Sequence, residues 1–252
     1  MRKIAICNQK GGVGKTATAV NLSAGLSLAE KKTLLVDFDP QANATSGIGI
    51  DYKTLETSVY DCLFEPNLIT QAIIKTKYPY LSVLPSTPDL VGAEVELVSL
   101  DERERRLKNA LKKIESEYDF AIIDCPPSLG LLTLNALVSC DSVIVPVQCE
   151  YYALEGLEKL LKTLKNVKES LNPDLKIEGI LLTMYDARLN LSKDVVEEIK
   201  KHFSNSVFDT IIPRSVRIAE APSFGKSVLH YNISCSGAQA YLSLTKEILN
   251  HA

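Results

Sequence analysis

The sequence carries no excess of positive charge: 28 lysines and arginines face 31 aspartates and glutamates, a net of −3. That excludes a globally basic nucleic-acid binder, so any affinity for DNA has to come from a local patch. Closely spaced cysteines are also missing. The six stand at positions 7, 62, 125, 140, 149 and 235, no two closer than nine residues, so there is neither a CxxC pair nor a zinc-ligand spacing. Cys7 and Cys125 fall in apolar runs that read as buried strands, and free, buried thiols of a reducing compartment are the expectation. No secretory leader is visible, because Met1-Arg2-Lys3 is followed by only four apolar residues before Asn8 and Gln9. The apolar uncharged stretch Cys125 to Cys140 is broken by Pro126, Pro127, Ser128 and Asn135 and is too short and polar to span a bilayer. Low-complexity segments and internal repeats are absent too. Together these absences describe a soluble, cytoplasmic protein.

What is present is an ordinary globular composition, 46% hydrophobic and 23% charged over 252 residues. Short apolar runs alternate with longer amphipathic ones, the pattern of a parallel sheet covered by helices. The runs predict strands at Lys3–Cys7, Thr33–Phe38, Leu81–Leu84, Phe120–Asp124, Ser142–Val147, Ile177–Met184 and Val207–Ile211. They are continuously apolar, as when both sheet faces are buried. Helices are predicted at Lys15–Ala29, Asp101–Glu117, Thr133–Cys140, Leu154–Leu171, Ser192–Phe203 and Gly237–Leu249. The expected fold is α/β: a doubly wound, mostly parallel sheet with helices on both faces, one domain over residues 1–252.

The most informative segment runs from Ile4 through Asn8-Gln9-Lys10-Gly11-Gly12-Val13-Gly14-Lys15-Thr16. A strand leads into a glycine-rich turn, and a helix starts at the lysine. Gly11, Gly12 and Gly14 let the backbone fold round a phosphate with its N–H groups inward, and the helix N-terminus adds its positive dipole end. Lys15 would reach the β- and γ-phosphates and the Thr16 hydroxyl would ligate Mg²⁺. The standard motif wants a glycine where Gln9 stands; in its place comes a second lysine, Lys10.

Such a loop needs partner carboxylates. Leu34-Leu35-Val36-Asp37-Phe38-Asp39-Pro40-Gln41 and Ala121-Ile122-Ile123-Asp124-Cys125-Pro126-Pro127 each end a strand on acids, and in an open α/β sheet those ends meet at the ligand crevice. Asp124 is the natural Mg²⁺ carboxylate and Asp39 the candidate for orienting the attacking water. Either aspartate alone would more simply cap the next helix. Both beside a phosphate loop read as chemistry.

Lys10-Gly-Gly-Val-Gly-Lys15-Thr16, Asp37-Phe-Asp-Pro-Gln-Ala-Asn43 and Asp124-Cys-Pro-Pro-Ser-Leu-Gly130 together resemble the deviant Walker A ATPases. Pro146-Val-Gln-Cys-Glu-Tyr-Tyr-Ala-Leu-Glu-Gly156 and Ile212-Pro-Arg-Ser-Val-Arg217 narrow the resemblance to the ParA/Soj partitioning branch, over nearly the whole chain. The resemblance implies an ATP-dependent homodimer, MgATP hydrolysis stimulated by a ParB-like protein, non-specific binding of double-stranded DNA, and association with the nucleoid. On it, Lys10 is the signature lysine that crosses the dimer to the partner's nucleotide, and Asp39 is needed for hydrolysis and stands near the metal. Pro213 and Arg214 line the adenine, and Arg188 and Arg217 supply DNA affinity. Two departures stand out. Ala17 occupies a position that is usually a second threonine, which predicts weakened or altered nucleotide affinity. His230–Gly237 lacks the basic residues often found there, and Asp186–Ala252 holds eight basic against seven acidic side chains, which weakens the expected hold on DNA.

Two other classes compete. A membrane-surface ATPase of the division-site (MinD-like) type would need a basic amphipathic C-terminal helix, but Ala238–Ala252 carries only Lys246 as a cation. An iron–sulfur reductase would need a different cysteine spacing from the one around Cys125.

Overall fold

The computed structural model describes residues 1–151 and 153–250. Tyr152 of the Pro146–Gly156 string and the last two residues, His251 and Ala252, lie outside the described residues. In chain order the first half comprises β1 (Arg2–Ile6), α1 (Lys15–Leu28), β2 (Thr33–Asp37), α2 (Asn43–Gly47), α3 (Val59–Phe64), α4 (Ile69–Ala72), β3 (Ile74–Lys75), β4 (Leu81–Leu84) and α5 (Leu90–Glu96). Next come α6 (Arg106–Lys112), β5 (Phe120–Asp124), α7 (Leu131–Ser139), β6 (Ser142–Gln148) and α8 (Ala153–Ser170). The chain ends with β7 (Lys176–Thr183), α9 (Asn190–Phe203), α10 (Val216–Glu220), α11 (Val228–Tyr231) and α12 (Ser236–Asn250).

The strands form a sheet in the order β3-β4-β2-β5-β1-β6-β7, parallel throughout except for the short edge strand β3. Its apolar residues divide between two cores. Ala5, Val36, Ile123 and Val145 face one core with α3, α6, α7 and α8. Ile4, Ile6, Leu35, Ile122 and Ile144 face the other with α1 and α12. Residues from both strand faces are fully buried, which is why these strands read as unbroken apolar runs rather than alternating ones. Burying both faces also fixes register: Ile6 lies beside Asp124, and Asp124 beside Asp37. The acids that end β2 and β5 are therefore neighbours.

Six of the expected strands form, with ends within one residue of those predicted. The seventh, Val207–Ile211, does not. The segment runs beside β7 and keeps only isolated bridges, Ile180 to Val207 and Tyr185 to Pro213. The Phe208 and Ile212 N–H groups still donate to β7, but the Thr210 N–H between them, with that of Asp209, donates to the Glu247 carboxylate of α12, which breaks the ladder. Pro213 has no N–H to give. The helix expected over Asp101–Glu117 shrinks to α6. Asn135 of α7 reaches across, accepting from the Leu107 N–H at 3.2 Å and donating to the Arg103 carbonyl at 2.7 Å. This satisfies the backbone where a longer helix would have continued. The short helices α2 to α5 offer too few turns to show a period in the sequence.

Candidate functional site

The phosphate loop bridges β1 and α1. Gly12 and Gly14 take φ of 76° and 90°, the left-handed region that a side chain disfavours. Gly14 sits at the helix N-cap, and no side chain caps α1, so its first N–H groups are left for an anion. A Cβ on Gly11 or Gly12 would meet nothing within 4 Å, so that side of the loop is open. Neighbours hold the loop in shape. The Thr183 hydroxyl donates to the Val13 carbonyl at 2.9 Å, Asn8 Nδ2 donates to the Pro146 carbonyl at 2.7 Å, and the Lys10 N–H donates to Asn8 Oδ1 at 3.0 Å. Lys15 is buried, and its Nζ donates to the Lys10 carbonyl at 3.1 Å. The cation thus spans the loop it would share with a phosphate. Lys10 turns elsewhere, its ammonium paired with Glu150 just beyond β6.

The carboxylates meet as expected. Asp124 is fully buried, and neither of its oxygens has a hydrogen-bond partner. Burial raises its pKa well above the ordinary range and the adjacent Asp37 adds to the rise, while Thr16 and Lys15 pull the other way. Asp37 is pushed up to about 6, again by burial first. Its Oδ2 takes both the Thr45 N–H and the Thr45 hydroxyl at 2.7 Å. Asp37 therefore anchors the start of α2, and Asp124 is the acid left unsatisfied. Asp39 is 7% exposed, and its Oδ1 accepts the Gln41 N–H at 2.9 Å. Ala42 follows with φ of 51°, a strained turn for a residue with a Cβ.

Beside the loop lies a cavity of about 650 Å³ whose lining includes Thr16, Ala17, Asn43, Met184, Pro213 and Arg214. That is the size of a small-molecule site. The irregular stretch after Thr210 forms much of its wall, and Met184, with φ of 53°, turns the chain out of β7 into it. Lys10, Lys15, Asp39 and Asp124 do not line this cavity, so the phosphate end and the cavity adjoin without coinciding.

The arginines expected on a DNA patch are both tied up. Arg188 makes a forked pair with Asp186 (2.9 and 2.6 Å), which holds the Asp186 carboxyl down at about 2. Arg217 pairs with Glu220 at 2.8 Å. Each brings its own counter-charge, a feature invisible when the two are read as isolated cations. Glu150 is the other residue that sequence reading missed. It lies inside the Pro146–Gly156 string, but nothing in that string says that it meets Lys10. The cysteines are free, all buried except the half-buried Cys235.

The residues fit a magnesium nucleotide. An unsatisfied buried acid, a hydroxyl, a buried lysine and uncapped helix amides converge on this open loop. Comparison with known proteins agrees. A family model described as an AAA domain matches residues 1–177. The chromosome partitioning protein ParA of Myxococcus xanthus is 56% identical over 248 residues, 98% of this chain and 88% of that protein. The sporulation initiation inhibitor protein Soj of Bacillus subtilis is 56% identical over 97% of both chains. Among solved structures, cobyrinic acid a,c-diamide synthase from Mycobacterium smegmatis, with an ATP analogue and magnesium bound, superposes with a TM-score of 0.88 at 38% identity. That alignment covers 100% of this chain and 95% of the other.

Proposed function

The chain belongs to the ParA/Soj family of chromosome-partitioning ATPases, and on that premise we propose that it acts, as a single domain, as a dimerisation switch driven by MgATP. The observation that carries this reading is the division of labour between two lysines. Lys15 is buried and aimed across its own loop, while Lys10 is nearly half exposed and held by Glu150 outside that loop. A cation so placed is available to a second copy's phosphates, and a contact made only in the dimer is what lets a nucleotide shift the population.

Thr16 and Asp124 are the residues that would hold magnesium, and the ion would neutralise charge on the β- and γ-phosphates. Lys15 and the amides of Gly11 to Ala17 bind and orient the phosphates. Pro213 and Arg214 wall the cavity that suits the adenine. Asp39 orients the attacking water and receives its proton. Ala17 leaves its amide in place but no hydroxyl, so its cost falls on affinity. The ATP dimer doubles the two arginines per chain to four and binds duplex DNA without regard to sequence, on the nucleoid. A ParB-like protein then stimulates hydrolysis and release. The membrane-surface reading loses support from the packing of α12, whose apolar residues Tyr241, Leu244 and Ile248 are buried in the core. Among the described residues, no helix is long and apolar enough to cross a membrane.

The test is Lys10→Ala, followed by sedimentation with a non-hydrolysable ATP analogue. The variant should bind the analogue through Lys15 and the loop amides yet remain monomeric. A variant that dimerises like the wild type would remove Lys10 from the interface.

A further inference from the structure

The surface of α5 is not what a solvated helix needs. Leu90, Ala93 and Leu97 bury one side of it in the core. On the other side Val91 and Val95 of α5, and Val98 in the 3-10 turn Leu97–Ser99 that continues it, stand 61%, 76% and 56% exposed, spaced i, i+4, i+7 along one helical path. β-Branched residues are mediocre helix formers, favoured there only when they pack. Among the described residues, all three keep more than half of their surface exposed. Acids flank the line in the chain, Asp89 before Val91 and Glu96 after Val95. Glu96 accepts from Tyr60 at 2.7 Å, Asp89 accepts from the Thr87 hydroxyl, and Asp61, which caps α3 through Ser58, lies on the same side near Tyr60. Residues 58–68 and 89–106 together hold eight acids against three arginines. Arg103, the cation that borders the stripe, is engaged with Glu104 and the Val98 carbonyl.

We infer that the valine line of α5 and its acidic border form the docking surface for a cationic amphipathic helix of the stimulating partner, an inference that rests on the function proposed above. Charge selects the occupant. A second copy apposed through the same patch would bring Asp61, Asp89 and Glu96 against their own equivalents, and DNA or an anionic membrane would meet the same repulsion. A helix with lysines flanking a leucine stripe satisfies both features at once. The surface is also placed to act on the site. Glu94, beside the valines on α5, packs so closely on Gly130 that a Cβ there would overlap its carboxylate, and its Oε1 is buried without a hydrogen-bond partner. Gly130 closes the loop that starts at Asp124. Fixing α5 therefore fixes the loop that leads from the magnesium carboxylate.

The experiment uses the full chain with ATP, a synthetic 15-residue Leu/Lys peptide patterned as an amphipathic helix, and a scrambled peptide of the same composition. Valine-methyl NMR should show the patterned peptide shifting Val91, Val95 and Val98, with the scrambled peptide at least tenfold weaker. The triple variant Val91→Ser, Val95→Ser, Val98→Ser should bind the patterned peptide about tenfold more weakly and still dimerise with ATP. Asp89→Asn with Glu96→Gln should lose severalfold in low salt, and the difference should vanish in high salt. Unchanged binding to the serine variant, or shifts centred elsewhere, would overturn the assignment. Loss of ATP-dependent dimerisation in the serine variant would overturn it too, by making α5 a contact between copies. If the wild type itself fails to dimerise with ATP, the switch reading fails, whereas peptide shifts at the valines would still locate the docking surface.

Discussion

The phosphate end of the site and the walls of the adjoining cavity are built in opposite ways. The first is a continuous stretch, Asn8 to Thr16, held by two positive-φ glycines and the start of α1. The second is gathered from α1, α2, the end of β7 and the irregular segment around Pro213. One region is written locally, the other assembled. Chemistry that needs backbone amides in a fixed arc can be specified by a short string, because glycine and the helix terminus do the work. A pocket shaped to a base and a sugar needs side chains from distant segments, so its lining depends on the packing of the whole sheet.

The sharpest way to separate these regions is to remove Asp39, the acid proposed to serve hydrolysis and not binding. Asp39→Ala should lower turnover by about a thousandfold while leaving nucleotide affinity nearly unchanged, since it removes a contact made in the transition state. Steady-state hydrolysis and equilibrium binding, measured together, decide this. Normal turnover would move the role to another acid, Asp37 first.

Asp37 gives a test on the folding side of the same crevice. Its pKa rises from 3.8 to about 6 on burial, so the folded state binds its proton more tightly than the unfolded chain does. Ionising it therefore costs stability that is lost progressively between about pH 4 and 6, up to about 3 kcal/mol above that window. Asp37→Asn should gain on the wild type as pH rises from 4 to 6 and hold the gain at pH 7.5. Urea denaturation without nucleotide reads the difference; a gap independent of pH would mean that Asp37 is ionised throughout.

On the assembled side, the ion pairs of Arg188 and Arg217 sharpen the DNA expectation. Four arginines in a dimer imply a log–log salt slope of roughly −3.6, and removing one per chain should flatten it by about two. Because Asp186 holds Arg188 in a forked pair, Asp186→Asn should do the reverse and strengthen binding a fewfold. A salt titration with ATP compares Arg188→Ala, Arg217→Ala and Asp186→Asn. Affinity unaltered in all three would place DNA elsewhere, and binding without ATP would separate it from the switch.

The smallest effect is expected at Glu150. Its pairing with Lys10 is between partly exposed groups, worth at most about 1 kcal/mol. Glu150→Gln should therefore move the analogue concentration needed for half-dimerisation downward by no more than about fivefold. An upward shift would show that Glu150 supports the dimer instead of restraining Lys10 in the monomer.

Residues adjacent in the chain were the legible ones. The loop glycines, Lys15, Asp39 and Asp124 were identifiable from their order along strand, turn and helix, because each motif is a covalent neighbourhood with a fixed local geometry. The strand of Val207–Ile211 was misread for the complementary reason. Its composition suits a strand, but Glu247, distant in sequence, takes two of its amides. The helix at 101–117 was cut short by Asn135 from α7, again a partner that no local window contains.

By itself, then, the sequence determined the parallel doubly wound sheet, the phosphate loop and the two strand-end acids that face it. Hydrophobic runs and glycine stereochemistry act over a few residues and leave their pattern in the chain. The tertiary structure decided which acid is left unsatisfied. Asp37 and Asp124 end similar strands, yet packing places Thr45 against Asp37, while Asp124 faces Thr16 and Lys15 with neither oxygen hydrogen-bonded. It also decided that Lys10 meets Glu150, that each DNA-candidate arginine carries a counter-ion, and that the valines of α5 remain uncovered. All of these turn on distances between segments far apart in the chain, and only the packing of both cores sets them.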